Sequence, residues 1–555
     1  MAHTRAIDRV LQIPHLLDEV FAQIASPWTP HDSEKWWIFT SQMARDGRFT
    51  LACSARVCRA FLEPALDALW RDLGDLLVLL RVLPSFQPYT SHSFNFLDEI
   101  TPSQWLRFQS YARRVRALQK GALGSSVETV DKMVWATLGS RLNGQPLLPN
   151  LRTFVSDFAE NYLAPLVLLS PSLLDLELWF PCADAVVDDP VFASSLPLAR
   201  GVLVQSLTPH LRKLSRFLIY DGLEGTPARF LSAFLTPLDR LQALDLVASK
   251  AIADLATLQA ISEMTALREL GIRLSLAGTN PTMLPQLGGA YSALHRLHLR
   301  GKIHDMCTLF QACDCAQLDD LALTVHTLEG LQEGLASICD RLPKSLRHAR
   351  VTILGRDHPP EPPTSAIHVL RPFFVFRDLR TVNMSTDHSD PGMDDSLARA
   401  FASAWPQLTH FELRYLDSCS TLDPAPGQLT VAGLVEFVQR CPKLAVFQVP
   451  FLDVRGPLPA LHSLPSEGLK SMHSLSFFKL IGGREANLLA LAVVLDVLFP
   501  SAGKLHSVTV EKDIKALTVS VGNEAYQAAC VAMLLLGAMW ARRQGEEKRL
   551  GANEG

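Results

Sequence analysis

The chain has 555 residues, of which 48% are hydrophobic and 19% charged, with a formal net charge of −4. This composition can fill a large core and argues against long disordered stretches. No block of five like charges occurs, which argues against a nucleic-acid-binding tail. The ten cysteines form no CxxC pair and the N-terminus has no apolar signal core, so we expect an intracellular protein in the cytoplasm, the nucleus or both.

The first predicted helix lies in the stretch IPHLLDEVFAQIA, residues 13–25. Proline suits the first turn of a helix because its missing N–H costs little there. The sequence therefore predicts an amphipathic helix that starts at Pro14. Its apolar residues recur at helical spacing on one broad face and are Leu16, Leu17, Val20, Phe21 and Ile24.

A second helix is predicted from near Leu51, in the stretch LACSARVCRAF. It would carry Val57, Cys58 and Phe61, and Pro64 would break or restart it. An inserted segment at residues 26–48 separates the two predicted helices and contains three of the nine tryptophans. We interpret this insertion as a loop, an added helix or a second contact surface.

A hexamer recurs through most of the remaining chain, as an apolar residue followed by others three and five positions later. Its clearest copies are LQALDL, LRELGI, LHRLHL, LDDLAL and LTHFEL, which start at Leu241, Leu267, Leu294, Leu318 and Leu408. Weaker or degraded copies start at Leu151, Leu173, Leu211, Leu346, Leu379, Leu444, Leu475 and Leu505, with a candidate opening copy at Val115. From Leu151 to Leu505 the starts are on average about 30 residues apart, which is typical of a repeat architecture.

Each hexamer fits a short strand, because positions four and six lie on the same face of a strand. Segments with helical periodicity, such as LVEFVQRCP, lie between the hexamers. The pattern predicts an α/β fold with an N-terminal all-helical module followed by a leucine-rich-repeat solenoid. In this solenoid, parallel strands would line the concave face and helices the convex face.

These signals divide the chain into a helical module at residues 10–83, a helical connector at 84–109 and a solenoid at 110–543. The solenoid would end in a capping helix at about 523–543, followed by a flexible tail at 544–555. The apolar run in that last helix is shorter than the roughly 20 residues of a membrane span. We therefore interpret it as a buried or capping helix and expect no membrane partner.

The N-terminal motifs resemble those of a known family. IP-x-LL-x-EVF-x-x-I, then L-A-x-x-A-R-V-C-R-A-F, then ALDALW with the tail LWRDLGDLLVLLRVLP resemble the F-box of proteins abundant in mushroom-forming fungi. TPSQWLRFQSYARRVRAL, from Thr101, resembles the stretch that leads into the repeats of those proteins. That family usually joins the two helices by a short loop, so the insertion at 26–48 leaves the docking geometry open.

The resemblance implies binding rather than catalysis, in a substrate-recognition subunit of an SCF-type cullin–RING ubiquitin ligase. The helical module would bind the adaptor subunit, and the repeats would bind an unidentified target protein. Carried over position by position, the adaptor-binding residues are Pro14, Leu16, Leu17, Val20, Phe21, Leu51, Val57, Cys58 and Phe61. So small a module has little core, and a partner is expected to cover its spare apolar surface. Cys58 is expected to be a small apolar filler. The alternative is that these residues form a self-contained helical core.

Positions two, three and five of the hexamers are predicted to point to the concave face and to contact the target. The candidates are His295, Arg296, His298, Asp319, Asp320, Arg347, His348, Arg350 and Arg380. They would form basic, acidic and basic bands, which can select a partner by charge complementarity. Alternatively, these residues are polar only because they face solvent.

Other kinds of site have little support in the sequence. His304, Cys307, Cys313 and Cys315 match no common zinc-finger spacing and fall where an outer helix is predicted. No G-x-S-x-G, P-loop, HExxH or dinucleotide-binding motif occurs. We therefore expect no catalytic residue, metal, cofactor or nucleic-acid partner. A non-ligase interaction scaffold is the first alternative function, and an enzyme with dispersed catalytic residues is the second.

Overall fold

The structure is a computed structural model that describes most of the chain between residues 13 and 498. The described residues are 13–25, 42–90, 93–119, 129–157, 167–179, 213–220, 231–232, 235–277, 287, 291–326, 329–354, 369–386, 392–415, 427–459, 472, 474–481, 491, 493–495 and 498. The predicted capping helix and tail, and the hexamer at Leu505, lie outside these residues.

The chain forms two compact units. The first comprises Met1–Ala251 with Glu263–Leu267, and the second comprises Ile252–Ser262 with Arg268–Gly555. The division falls inside the array that the sequence predicts as a single solenoid.

The first unit begins with helices and continues into a parallel sheet. Its helices are α1 (Pro14–Ile24), α2 (Gln42–Ser54), α3 (Arg59–Arg71), α4 (Leu77–Leu80), α5 (Pro102–Ala112) and α6 (Lys132–Leu142). Its strands are β1 (Asp72–Leu73), β2 (Phe86–Pro88), β3 (Ser93–Phe96), β4 (Ala117–Gln119), β5 (Thr129–Val130), β6 (Thr153–Asp157), β7 (Asp175–Trp179), β8 (Arg216–Tyr220) and β9 (Ala243–Asp245). Strands β1, β4, β6, β7, β8 and β9 pair in parallel in that order.

The second unit alternates strands with helical connections. Its strands are β10 (Ile252–Ala253), β11 (Glu269–Leu274), β12 (Arg296–Gly301), β13 (Asp320–Val325), β14 (His348–Ile353), β15 (Thr381–Thr386), β16 (His410–Tyr415), β17 (Val446–Asp453) and β18 (Ser474–Ile481). The helices are α7 (Leu255–Ser262), α8 (Ile303–Ala312), α9 (Leu331–Cys339), a 3-10 turn (Arg371–Val375), α10 (Asp395–Ala404) and α11 (Val431–Arg440). Strands β10 to β18 pair in parallel in chain order. The predicted α/β fold with parallel strands is thus confirmed.

The hexamers form these strands because positions one, four and six share one buried face. In the copy that starts at Leu294, the residues Leu294, Leu297 and Leu299 are all buried. Leu297 pairs with Leu321 on β13, and each following copy continues the same register. A short unit cannot bury its own apolar side, so the repeats are stable only when stacked.

Two weak hexamers are displaced by three residues from their predicted starts. In β8 the buried positions are Leu214, Phe217 and Ile219, so that copy starts at Leu214 rather than Leu211. The same shift occurs in β18, where Leu475 pairs with Phe447 of β17 and therefore occupies position four.

The predicted helical connector at residues 84–109 is mixed rather than helical. It contains β2 and β3, which pair antiparallel, as well as most of α5. Helix α5 starts with a capping box, in which Thr101 and Gln104 each accept a hydrogen bond from the other's backbone N–H.

The core of the second unit contains a ladder of aromatic rings on successive repeats. Its members are Phe374, Phe401, Trp405, Phe411, Phe437 and Phe447, with neighbouring ring centroids 5.1 to 5.9 Å apart. Phe401, Phe411, Phe437 and Phe447 are fully buried. Large rings fill the space between the sheet and the helices, so this part of the array has a continuous packed core.

Candidate functional site

The N-terminal helices α1, α2 and α3 pack into a small module with its own core. Leu17, Phe21, Leu51 and Ala65 form the buried cluster of this module. The rings of Phe21 and Phe61 meet edge to face, with centroids 5.3 Å apart. Three of the predicted adaptor-binding residues, Leu17, Phe21 and Leu51, are therefore core residues and are not available to a partner.

Other predicted adaptor-binding residues lie on the surface of the module. Val20 is 52% exposed and Val57 is 68% exposed, and Leu16 is also exposed. Leu16 and Val20 are four residues apart on α1 and so lie on one helical face. Cys58, predicted to be a small apolar filler at the interface, is exposed too and lies at the N-cap of α3. The side chain of Pro14 lies outside the described part of the structure.

Two exposed apolar residues of the module were not predicted from the sequence. Phe49 on α2 is 72% exposed, and Leu62 on α3 is exposed as well. Phe49 is not among the predicted binding residues, because the sequence predicts that the second helix begins only near Leu51. The sequence feature that indicates exposure of Phe49 is its position two residues before the buried Leu51. Residues two apart point to opposite sides of a helix.

The helix boundaries in the module differ from the prediction. Helix α2 starts at Gln42 and ends at Ser54, so residues 42–48 of the insertion are helical. Residues 26–41 lie outside the described residues. Helix α3 starts at Arg59 and continues through Pro64, which is buried. A proline inside a helix removes one backbone hydrogen bond. Helix α3 nevertheless continues past Pro64.

The module is continuous with the sheet of the first unit. Helix α3 leads directly into β1, and the backbone N–H of Arg116 donates to the carbonyl of Arg71 over 2.8 Å. The guanidinium of Arg114 forms ion pairs with Glu63 and Asp67 on α3. A surface on these helices is therefore held by contacts to α5 and the strands that follow.

The sheet face of the first unit carries an aromatic and acidic group. Trp179 and Tyr220 stack with their centroids 3.9 Å apart, and Trp179 Nε1 donates to Glu177 Oε1 over 2.8 Å. Burial raises the pKa of Glu177. The sequence pattern did not identify this group, because Trp179 and Tyr220 each follow the last position of their hexamers.

The predicted target-binding residues occupy one face of the sheet in the second unit, which we call the polar sheet face. It consists of positions two, three, five and seven of the hexamers in β11 to β16. Arg296, Asp320 and His348 are register partners at position three. His298, Ala322 and Arg350 are register partners at position five.

The predicted charge bands on the polar sheet face partly neutralise one another. Asp320 Oδ2 lies 4.0 Å from Arg296 Nε and 3.5 Å from Arg350 Nη2. Arg296 also pairs with Glu269 over 3.2 Å. A single carboxylate thus bridges arginines on the two strands beside it, and a partner would have to compete with these ion pairs.

The histidines of the polar sheet face are tied to local hydrogen bonds. His348 Nδ1 lies 2.9 Å from the Thr381 hydroxyl, and His298 Nε2 lies 3.3 Å from the Thr324 hydroxyl. Burial lowers the pKa of His348 although Asp320 and Asp319 favour the charged form. The lowered pKa favours the neutral form of this imidazole on the polar sheet face.

The segment with His304, Cys307, Cys313 and Cys315 takes part in packing between helices of successive repeats. His304 and Cys307 lie on α8, where Cys307 Sγ contacts the carbonyl of Gly334 on the next repeat. Burial raises the pKa of Cys313 and of Cys315 to about 12. Among the described residues, no group of three or more His, Cys, Asp or Glu side chains is placed to hold a metal ion.

The repeated parallel strands and the buried hexamer positions define a protein of the leucine-rich-repeat kind. No protein-family model matches the chain, and no curated protein matches it. The chain is similar to the solved structure of the leucine-rich repeat-containing protein LegL7 from Legionella pneumophila. The identity is 12%, the match covers 52% of this chain and 96% of that chain, and the TM-score is 0.26. A likeness at this level carries no functional argument.

Within the described ranges, no helix combines enough length with enough apolar character to cross a bilayer.

Proposed function

We propose that the chain is the substrate-recognition subunit of an SCF-type cullin–RING ubiquitin ligase. Its N-terminal module, residues 10–83, binds the adaptor subunit, and the repeats bind a target protein. The protein itself is non-catalytic, since the other subunits of such a ligase supply the chemistry. The observation that supports this proposal most strongly is that the module has a complete core and still exposes large apolar side chains on its surface.

The exposed residues support docking because they are not needed for folding of the module. The buried cluster around Phe21 and Leu51 accounts for the packing of α1, α2 and α3. Leu16 and Val20 add an apolar stripe on the outer side of α1, and Val57 lies in the turn between α2 and α3. An exposed apolar stripe on a helix is typical of a surface that a partner covers.

Adaptor docking is tested with the full chain co-expressed with the adaptor subunit of the ligase. We expect the wild type to co-purify with the adaptor, and Val20→Asp with Val57→Asp to weaken binding by about 30-fold, as for two central contacts. The matched control is Leu106→Asp, since Leu106 is also an exposed apolar residue on a helix, α5. No binding by the wild type, or equal loss in the control, would contradict docking through this surface.

A non-ligase interaction scaffold is the second candidate, and the length between α1 and α2 favours it. Helix α1 ends at Ile24 and α2 begins at Gln42, so the connection is longer than the short loop of the family that the module resembles. Deleting residues 26–41 leaves both helices intact. If the wild type fails to bind the adaptor and the deletion variant binds it, the chain is a scaffold in which the insertion prevents docking.

A further inference from the structure

The polar sheet face of the second unit has an excess of positive charge. Its arginines are Arg268, Arg273, Arg296, Arg300, Arg347, Arg350, Arg380 and Arg414, and its carboxylates are Glu269, Asp319, Asp320 and Glu412. The polar sheet face thus has eight arginines and four carboxylates, whereas the formal net charge of the whole chain is −4. The face therefore has a net positive charge, although the chain as a whole has a net negative charge.

Several of these arginines are already neutralised within the sheet. Arg296 and Arg350 share Asp320, and Arg414 pairs with Glu412 over 3.1 Å. Such pairs are part of the surface itself and contribute little attraction to a partner.

Arg347 and Arg380 differ from Arg296, Arg350 and Arg414, which are paired with carboxylates. Both are exposed, and within the described ranges neither side chain has a hydrogen bond or an ion pair. The backbone N–H of Arg380 donates to the carbonyl of Arg347 over 2.7 Å, and the two residues directly precede the neighbouring strands β14 and β15. Adjacent strands are about 4.8 Å apart, and like charges at such positions repel each other.

The residues on the strands beside Arg347 and Arg380 do not neutralise the positive charge of this pair. Asp319 directly precedes the strand beside Arg347, but it lies beyond ion-pair distance. On the other side, Thr409 directly precedes the strand beside Arg380 and donates its hydroxyl to the carbonyl of Arg380 over 2.9 Å. The neighbours at position three, His348 and Thr381, bond each other.

We infer that the polar sheet face binds an acidic, extended segment of the target protein, with Arg347 and Arg380 as its main anion-binding residues. This inference rests on the target-binding role of the repeats in the proposed function, but not on adaptor docking. Two arginines on strands about 5 Å apart can each contact a carboxylate of a segment that crosses the strands. The six strands of the face span about 25 Å, which an extended segment of about eight residues covers.

A protein segment fits this face better than a nucleic acid does. A nucleic acid presents a continuous row of phosphates and needs a long basic stripe. Here the uncompensated charge is short, and Asp319, Asp320 and Glu412 interrupt it. These carboxylates would repel a continuous polyanion, whereas a peptide can place neutral residues beside them.

The test is fluorescence anisotropy of the full chain with a labelled ten-residue peptide that contains six glutamates spaced by glycine and serine. We expect saturable binding that weakens with added salt. The variant Arg347→Gln with Arg380→Gln should lose about tenfold in affinity, since two exposed charge contacts are removed. Its thermal stability should equal or exceed that of the wild type, because the substitution removes a repulsion between like charges.

Controls separate this inference from its alternatives. Arg399→Gln with Arg440→Gln removes the same charge from α10 and α11 and should leave peptide affinity within about twofold of the wild type. No saturable binding by the wild type, an equal loss in the control, or tighter binding of a ten-nucleotide single-stranded DNA than of the peptide would overturn the inference. Adaptor co-purification of the Arg347 and Arg380 variant should be unchanged, so failure of docking and failure of peptide binding are separate results.

Discussion

The N-terminal part of the chain and the repeats of the second unit differ in how many large apolar side chains they leave exposed. Of the thirteen large exposed hydrophobic residues in the described part of the chain, nine lie between Leu16 and Leu106. In the second unit only Ile252 and Val375 are among them. Stacked repeats cover each other's apolar faces, whereas a three-helix module has few neighbours to do so. The N-terminal part therefore leaves more large apolar side chains exposed than the described repeats of the second unit do.

The largest expected effect comes from removing a central ring of the repeat core. Phe411 is fully buried between Phe401, Phe437 and Phe447. We expect Phe411→Ala to lower the free energy of unfolding by about 4 kcal/mol, because it leaves a cavity in a packed core. Chemical denaturation of the full chain measures this loss. The control Val375→Ala, at an exposed position, should change stability by less than about 0.5 kcal/mol. Similar losses in both variants would contradict the contrast between core and surface.

A smaller effect is expected where a carboxylate joins two successive repeats. Asp395 on α10 accepts hydrogen bonds from the backbone N–H and the hydroxyl of Thr430, over 2.8 and 2.7 Å. Thr430 is in turn the N-cap of α11. Asp395→Ala leaves that backbone N–H without its partner and should cost about 2 kcal/mol.

The matched control for Asp395 is its neighbour Ser396. The Ser396 hydroxyl bonds only the side chain of Asp394. Ser396→Ala should therefore change the unfolding free energy by less than about 0.5 kcal/mol, and denaturant titration of both variants measures the difference. A loss for Asp395→Ala no greater than that of the control would show that the junction does not depend on this carboxylate.

The smallest expected effect is a pH dependence at the outer surface of the helices. Hydrogen bonds from Arg399 lower the pKa of Glu436 from 4.5 to about 2. A carboxylate with a lowered pKa in the folded state stabilises the fold above its unfolded pKa, and this contribution disappears as pH falls from about 4.5 to about 2.

Comparing the wild type with Glu436→Gln during acid titration measures this contribution. The stability difference should shrink across that pH window and should also shrink in high salt, since the ion pair is on the surface. A difference that stays constant from pH 6 to pH 2 would show that the carboxylate charge contributes nothing.

Much of the repeat fold could be predicted, but the register of weak copies could not. The hexamer places apolar residues at positions one and four, which are three residues apart. In LRKLSRFLI, both Leu211 and Leu214 therefore qualify as a start, and the same ambiguity occurs at Met472 and Leu475. Only pairing with the neighbouring strand resolves it, since a strand must align its buried positions with those beside it.

The binding surfaces were harder to predict than the fold. The helical pattern identified the apolar residues of α1 but not which of them the other helices cover. Leu17 and Phe21 are buried by α2 and α3, whereas Leu16 and Val20 are not. Similarly, the charges of the polar sheet face were visible in the sequence, but their mutual ion pairs depend on which strands are neighbours.

The sequence by itself determined the alternation of strands and helices and the identity of the buried hexamer positions, because these follow from the local periodicity of apolar residues. The tertiary structure decided which apolar side chains remain exposed on the N-terminal module and which arginines lack a counter-charge. Both depend on contacts between residues far apart in the chain, such as the 30 residues between Asp320 and Arg350.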